Sequence, residues 1–182
     1  MLLGPMCSEK TSQLCRIARR QEYTKRKLVT VKYAKDKRYG DDDALHSHNG
    51  EIIFSHRVLK LSELDVSKLE EAYLILIDEG QFFVDLESFA TTWANRGKHV
   101  TIAALNGDFR QNPWPSVQAL IPQAEYIKKY NAVCTDCGSE AGTFTIKQPS
   151  NTSLEVEDIG GPDQYKTVCR TCLVRLHQST LK

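Results

Sequence analysis

Residues 73–77 (YLILI) are apolar at every position and run straight into Asp78-Glu79. A strand with no polar side has to be covered on both faces, which predicts the interior of a parallel sheet between layers of helix. Residues 99–105 (HVTIAAL) read as a second buried strand, and residues 27–33 (KLVTVKY) alternate in strand fashion. Short strands are expected near 51–55 and 125–129. Helical spacing fills the gaps. A helix over about 10–25 buries Leu14, Ile17 and Ala18 and leaves Arg16, Arg19 and Arg20 as a solvated face. Another covers about 62–70, with Ser62 as its N-cap, and a third runs to Arg96 from a capping Asp85, with Leu86, Phe89, Ala90 and Trp93 inward. A short helix follows over 116–121. Residues 41–48 read as an exposed, charge-dense loop, in which His46 and His48 find nothing nearby to complete a metal site.

Ligands of open parallel sheets gather beyond the carboxyl ends of the strands, which is where Asp78 and Glu79 fall. An acid there suits a carboxylate for Mg²⁺. A partner for it lies at the start of the chain. Leu2-Leu3, the stub of an apolar strand, is followed by Gly4-Pro-Met-Cys-Ser-Glu-Lys-Thr11 and then the first helix. Strand, tight turn, Lys-Thr and helix are the skeleton of a phosphate-binding loop, with Lys10 for the β- and γ-phosphates and Thr11 for Mg²⁺. Gly4, Lys10 and Thr11 match G-x-x-x-x-G-K-[ST]. Glu9 does not, and it stands where the turn favours a residue free to adopt positive φ. The loop opens so near residue 1 that the first strand is expected to be short, or the true N-terminus to lie elsewhere.

The 182 residues suit one domain plus a small appendage. With 24 basic and 23 acidic side chains the formal charge is +1, which gives no footprint for nucleic acid or a membrane surface. No apolar run is long enough to span a bilayer and no export signal is visible, so a cytoplasmic protein is expected. Composition shifts after residue 131. From there Cys134/Cys137 and Cys169/Cys172 form two CxxC pairs with 31 residues between them. Four thiolates so arranged suit a structural, tetrahedral Zn²⁺. Cys7 and Cys15 read as small packing residues. The 106–115 loop, with Phe109 and Trp114, is expected to present exposed aromatics to a planar ligand. Adjacent Gly160 and Gly161 before Tyr165 point to close backbone approach.

In order along the chain, Gly4-Pro-Met-x-Ser-x-Lys-Thr11, Lys32-Tyr-Ala-Lys-Asp-x-Arg-Tyr39, Ile77-Asp-Glu-Gly-Gln-Phe-Phe83 and Ala103-Ala-Leu-x-Gly-x-Phe109 precede the first CxxC pair, and Ile159-Gly-Gly-x-Asp-x-Tyr165 precedes the second. Over nearly its whole length this pattern resembles the thymidine kinases that include the human cytosolic and poxviral enzymes. The resemblance implies a P-loop NTPase-like (RecA-like) α/β domain over 1–131 and a small zinc-ribbon, lasso-bearing domain over 132–182 that closes over the nucleoside. It implies transfer of the ATP γ-phosphoryl to the 5′-hydroxyl of thymidine, or of deoxyuridine, in nucleotide salvage.

By the same resemblance Glu79 is the general base and Arg38 stabilises charge on the transferring group. Gly4, Pro5, Met6, Ser8, Lys10, Thr11, Asp36, Asp78 and Gln81 fall on the ATP side, with Thr11 and Asp78 serving Mg²⁺. Met6, Phe82, Leu105, Phe109, Trp114 and Tyr165 line the thymidine pocket, and Val156, Asp158 and Gly160 read the base through main-chain groups. A homotetramer inhibited by dTTP is implied as well. The chain departs from the family at Glu9, at Asn106 (usually Asp), at Trp114 (commonly Phe) and at Asp158 (usually apolar). Glu9 keeps a second reading open, a catalytically silent kinase-like chain that binds thymidine nucleotides. A zinc-dependent nucleic-acid module is disfavoured by the neutral charge.

Overall fold

The computed structural model describes residues 1–36, 43–46, 50, 52–148, 151, 153 and 159–179. Six strands form one parallel sheet: β1 (Leu2–Gly4), β2 (Leu28–Tyr33), β5 (His56–Val58), β6 (Leu74–Ile77), β7 (His99–Leu105) and β8 (Lys128–Lys129), in the spatial order β5-β2-β6-β7-β1-β8. All five pairings are parallel, so every strand delivers its following loop to the same edge.

The apolar run in β6 now has its reason. Leu74 and Leu76 point to one face, with Leu2, Ala103 and the Leu14, Cys15 and Ala18 stripe of α1 (Lys10–Glu22). Ile75 and Ile77 point to the other, with Leu3, Val29, Val31 and Ile102. That face is covered by Leu69 of α2 (Val66–Glu71), by Leu86, Phe89, Ala90 and Trp93 of α3 (Leu86–Asn95), and by Val117 and Leu120 of α4 (Pro115–Leu120). Leu76 is fully buried, and truncating such a residue to Ala costs about 2–5 kcal/mol.

Two expected helix caps are not made, and the Asp85 side chain takes part in both departures. Residues 61–63 form a single 3₁₀ turn, and α2 begins later, where the Asp65 carboxylate accepts the Ser67 N–H at 2.9 Å. Asp85 stands at the N-cap position of α3 but makes no side-chain cap there. Its carboxylate instead accepts the N–H groups of Leu61 and Ser62, at 3.1 and 2.9 Å. Ser62 is therefore not a cap. The loop expected over 41–48 also contains structure. β3 (Ala44–His46) pairs antiparallel with β4 (Ile52–Phe54), and Leu45 is buried against the α1 face. His48 lies outside the described residues. Cys15 packs in the core as expected, whereas Cys7 is exposed.

After residue 131 the chain forms a small unit. β9 (Phe144–Lys147) and β10 (Tyr165–Val168) make an antiparallel ladder, and α5 (Arg170–Ser179) follows at once. Val168, Leu173, Phe144 and Ile146 pack there around the cysteines.

Candidate functional site

Residues 5–9 link β1 to α1 in a tight turn. Cys7 and Glu9 both take left-handed backbone, with φ of 58° and 60°. Such residues turn main-chain N–H groups inward and make an anion-binding concavity at a helix N-terminus. Glu9 was expected to resist this geometry. It adopts it, at a cost of about 1–2 kcal/mol for an L-residue, and its side chain is exposed. Gly4 is demanded by close approach, since a Cβ there would lie 2.5 Å from Ser8 Oγ and 2.8 Å from the Tyr130 carbonyl oxygen. Ser8 Oγ and Lys10 Nζ both donate to the Pro5 carbonyl, at 2.8 and 2.7 Å. Thr11 Oγ1 donates to Asp78 Oδ2 at 3.0 Å, which ties the loop to the end of β6 across β7.

Asp78 is buried, and Glu79 after it is a further left-handed position, φ 51°. Backbone held in that region clusters at functional sites. The turn is compressed because Gly80 lies against β7: a Cβ there would come 2.6 Å from Ile102 Cγ2. Gln81, which the resemblance puts on the ATP side, is buried and hydrogen-bonded to Glu79. Its Nε2 donates to Glu79 Oε2, and its Oε1 accepts the Leu105 N–H.

Two cavities meet at this edge of the sheet. The larger, about 470 Å³, is lined by Met6, Ser8, Lys10, Thr11, Asp36, Asp78 and Glu79, together with Lys32 and Lys35, which sequence reasoning missed. The smaller, about 30 Å³, is bounded by Met6, Glu79, Phe82, Leu105, Phe109, Trp114, Gly160 and Tyr165. Met6, Glu79, Leu105, Ile159 and Gly160 belong to both. Trp114 is half-buried rather than exposed, since it packs edge-on against Phe82 at 5.7 Å, and its buried Nε1 has no hydrogen-bond partner among the described residues. Phe82 in turn stacks on Tyr33 at 5.4 Å. Arg38, Val156 and Asp158 lie outside the described residues.

Three further residues escaped the sequence. Thr145 Oγ1 accepts the Met6 N–H at 3.1 Å, and Thr167 Oγ1 donates to the Met6 carbonyl at 2.9 Å. Lys147 Nζ sits 4.4 Å from the centre of the Phe109 ring. No local signal marks a threonine in a short strand for such a role.

The four Sγ atoms of Cys134, Cys137, Cys169 and Cys172 lie within 4.8 Å of one another, with Cys137 and Cys169 3.7 Å apart. Tetrahedral Zn–S bonds of about 2.3 Å separate sulfurs by roughly 3.8 Å, so the donor set fits. Burial alone would raise the Cys134 pKa, but N–H groups of Cys169, Asp136 and Cys137 outweigh it and hold the thiol at about 6. The Asp136 carboxylate, with burial, pushes Cys172 the other way.

A parallel sheet whose first strand ends in an anion-cradling turn, with an acidic pair closing a strand two places away, defines a P-loop type of nucleotide-binding protein. The sequence model for thymidine kinase matches residues 1–173, and the chain belongs to that family. It is 40% identical to the thymidine kinase of rabbit fibroma virus (strain Kasza) over 172 residues, 94% of this chain and 93% of the relative. The thymidine kinases of monkeypox virus and of vaccinia virus (strain Ankara) are each 38% identical over 174 residues, 96% of this chain and 95% of each relative.

Proposed function

We propose that this chain is an ATP-dependent thymidine kinase, moving the γ-phosphoryl of ATP to the 5′-hydroxyl of thymidine to give dTMP. One observation carries the reading: Glu79 lies on the seam between the phosphate-side cleft and the aromatic cavity. A general base for this transfer has to reach a sugar hydroxyl on one side and face the phosphoryl on the other.

Lys10 and the loop amides hold the donor phosphates, and swinging Lys10 off the Pro5 carbonyl frees its charge for them. Thr11 and Asp78 are oxygen donors suited to Mg²⁺, which supplies charge neutralisation between the phosphates when bound. Asp36 belongs to the phosphate side, and Arg38 is assigned to charge on the transferring group. Phe82, Leu105, Phe109, Trp114 and Tyr165 enclose the base, and Val156, Asp158 and Gly160 present main-chain groups to it. We assign 1–131 to nucleotide binding and 132–182 to a lid whose ends a structural Zn²⁺ would fix. Homotetramer assembly, dTTP feedback and a cytoplasmic setting belong to the same proposal. Among the described residues no helix is long and apolar enough to cross a membrane. The silent reading rested on Glu9, which adopts the left-handed position as an exposed residue at the lining of the larger cavity.

Steady-state phosphorylation of thymidine with Mg-ATP is the test. Turnover is expected, and Glu79→Gln should lower kcat by about 10²–10⁴ with little loss of thymidine affinity. An unchanged kcat removes Glu79 from the base role.

A further inference from the structure

We infer that Thr145 and Thr167 are positioning residues that lock the phosphate loop to the wall of the nucleoside cavity, so that ATP and thymidine each tighten the binding of the other. The inference rests on the function proposed above and deepens it.

The two threonines face each other across the β9–β10 ladder, in register, and both are buried. Their hydroxyls grip the N–H and the C=O of a single residue, Met6, which is 139 and 161 positions away. Met6 belongs to both cavities and precedes left-handed Cys7 in the loop. Thr145 also bounds the aromatic cavity, as does Tyr165 two residues before Thr167. A nucleoside seated on this hairpin therefore orders the wall that fixes the Met6 peptide groups. The loop amides are then held for the donor phosphates before ATP arrives. Ordering done once for two ligands gives positive coupling, and linkage makes it reciprocal.

Calorimetry reads this directly, as the affinity of a non-hydrolysable ATP analogue with Mg²⁺, with and without saturating thymidine. The parent should show coupling of about 5-fold or more. Thr145→Val and Thr167→Val keep shape but lose the hydroxyl, and should bring the ratio near one. Thr145→Ser and Thr167→Ser should restore it. Hydrogen exchange supplies a readout independent of catalysis: the Met6 amide should be protected in the parent and in Thr145→Ser, and fast in Thr145→Val. Zinc content and thermal melting should be unchanged in the Ser variants. Undiminished coupling in both Val variants, or a Met6 amide equally protected in all of them, overturns the clamp. So do Val variants that lose stability while the surviving folded fraction keeps full coupling. A parent that binds no thymidine would instead defeat the proposed function, and the Met6 exchange would still judge the clamp separately.

Discussion

Gln81 spans the gap between Glu79 and β7, with its amide nitrogen 2.6 Å from Glu79 Oε2 and its amide oxygen 3.0 Å from the Leu105 nitrogen. One buried side chain thus fixes the proposed base against the strand that carries a wall of the nucleoside cavity. Sequence resemblance placed Gln81 with the nucleotide, and the two assignments predict different kinetics. Gln81→Leu removes the acceptor of the Leu105 N–H and one donor to Glu79. Stability should fall by about 1–3 kcal/mol. The kcat should drop by about an order of magnitude or more, consistent with a misplaced general base. KM for ATP should hold. A rise confined to that KM would return Gln81 to the nucleotide.

Glu9→Gly tests the loop. The left-handed backbone is already in place with Glu9, so glycine relieves local strain while making the unfolded chain more flexible, and net stability should change by about 1 kcal/mol or less. Glu9 is exposed at the lining of the larger cavity, and exposed charges interact by up to about 1 kcal/mol. KM for ATP should therefore fall by about fivefold or less, and the difference should shrink as salt is added. Steady-state kinetics at two ionic strengths decide it, and restoration of activity to an inactive parent would revive the silent reading.

The sheet was legible because burial on both faces leaves its mark on consecutive residues, as in β6 and in β7, whose bounds match the apolar run at both ends. The loop and the acidic pair were legible because phosphate chemistry fixes residue types at short spacing. Hydrogen bonds that close over long separations left no such mark. Asp85 was read as a cap for its own helix, yet it satisfies amides 24 and 23 residues earlier. Leu45 sat in a run of charges that reads as surface, and α1 buries it. Thr145 and Thr167 are ordinary strand residues until Met6 is placed between them.

Cys7 and Cys15 look alike in sequence and should differ sharply in reactivity. Cys7 is exposed in the turn and lines the larger cavity. Cys15 is buried, and burial together with the nearby Asp78 charge pushes its thiol up to about 11. Thiolate is the reactive form. Iodoacetamide at pH 8 should label Cys7 in the folded protein and reach Cys15 upon unfolding, and Mg-ATP should slow the labelling of Cys7. The raised value also has a stability consequence. From pH 9 toward 11 the unfolded thiol releases its proton while the folded one keeps it, so Cys15 favours unfolding progressively across that window. Cys15→Ala should flatten the alkaline limb of the stability curve. Equal labelling of both thiols in the native state would contradict the packing.

The cysteine cluster anchors the hairpin more directly than it anchors the sheet. Cys169 follows Val168 of β10 without a spacer, and Cys134 accepts the Cys169 N–H at 3.2 Å. Where a preformed metal site is absent from the unfolded chain, metal binding energy becomes folding energy for the unit that holds it. Chelation, or Cys172→Ser, should therefore loosen β9, β10 and the cavity wall they carry while the parallel sheet survives. Changes in the groups around a metal commonly cost about 10–100-fold in metal affinity or activity. Loss of a ligand should lower thymidine affinity by at least about 10-fold and bring zinc content below one per chain. Far-UV dichroism should keep most of its amplitude, and melting should split into an early and a late transition. A single cooperative melt with thymidine affinity intact after zinc removal would show that the hairpin stands without the metal.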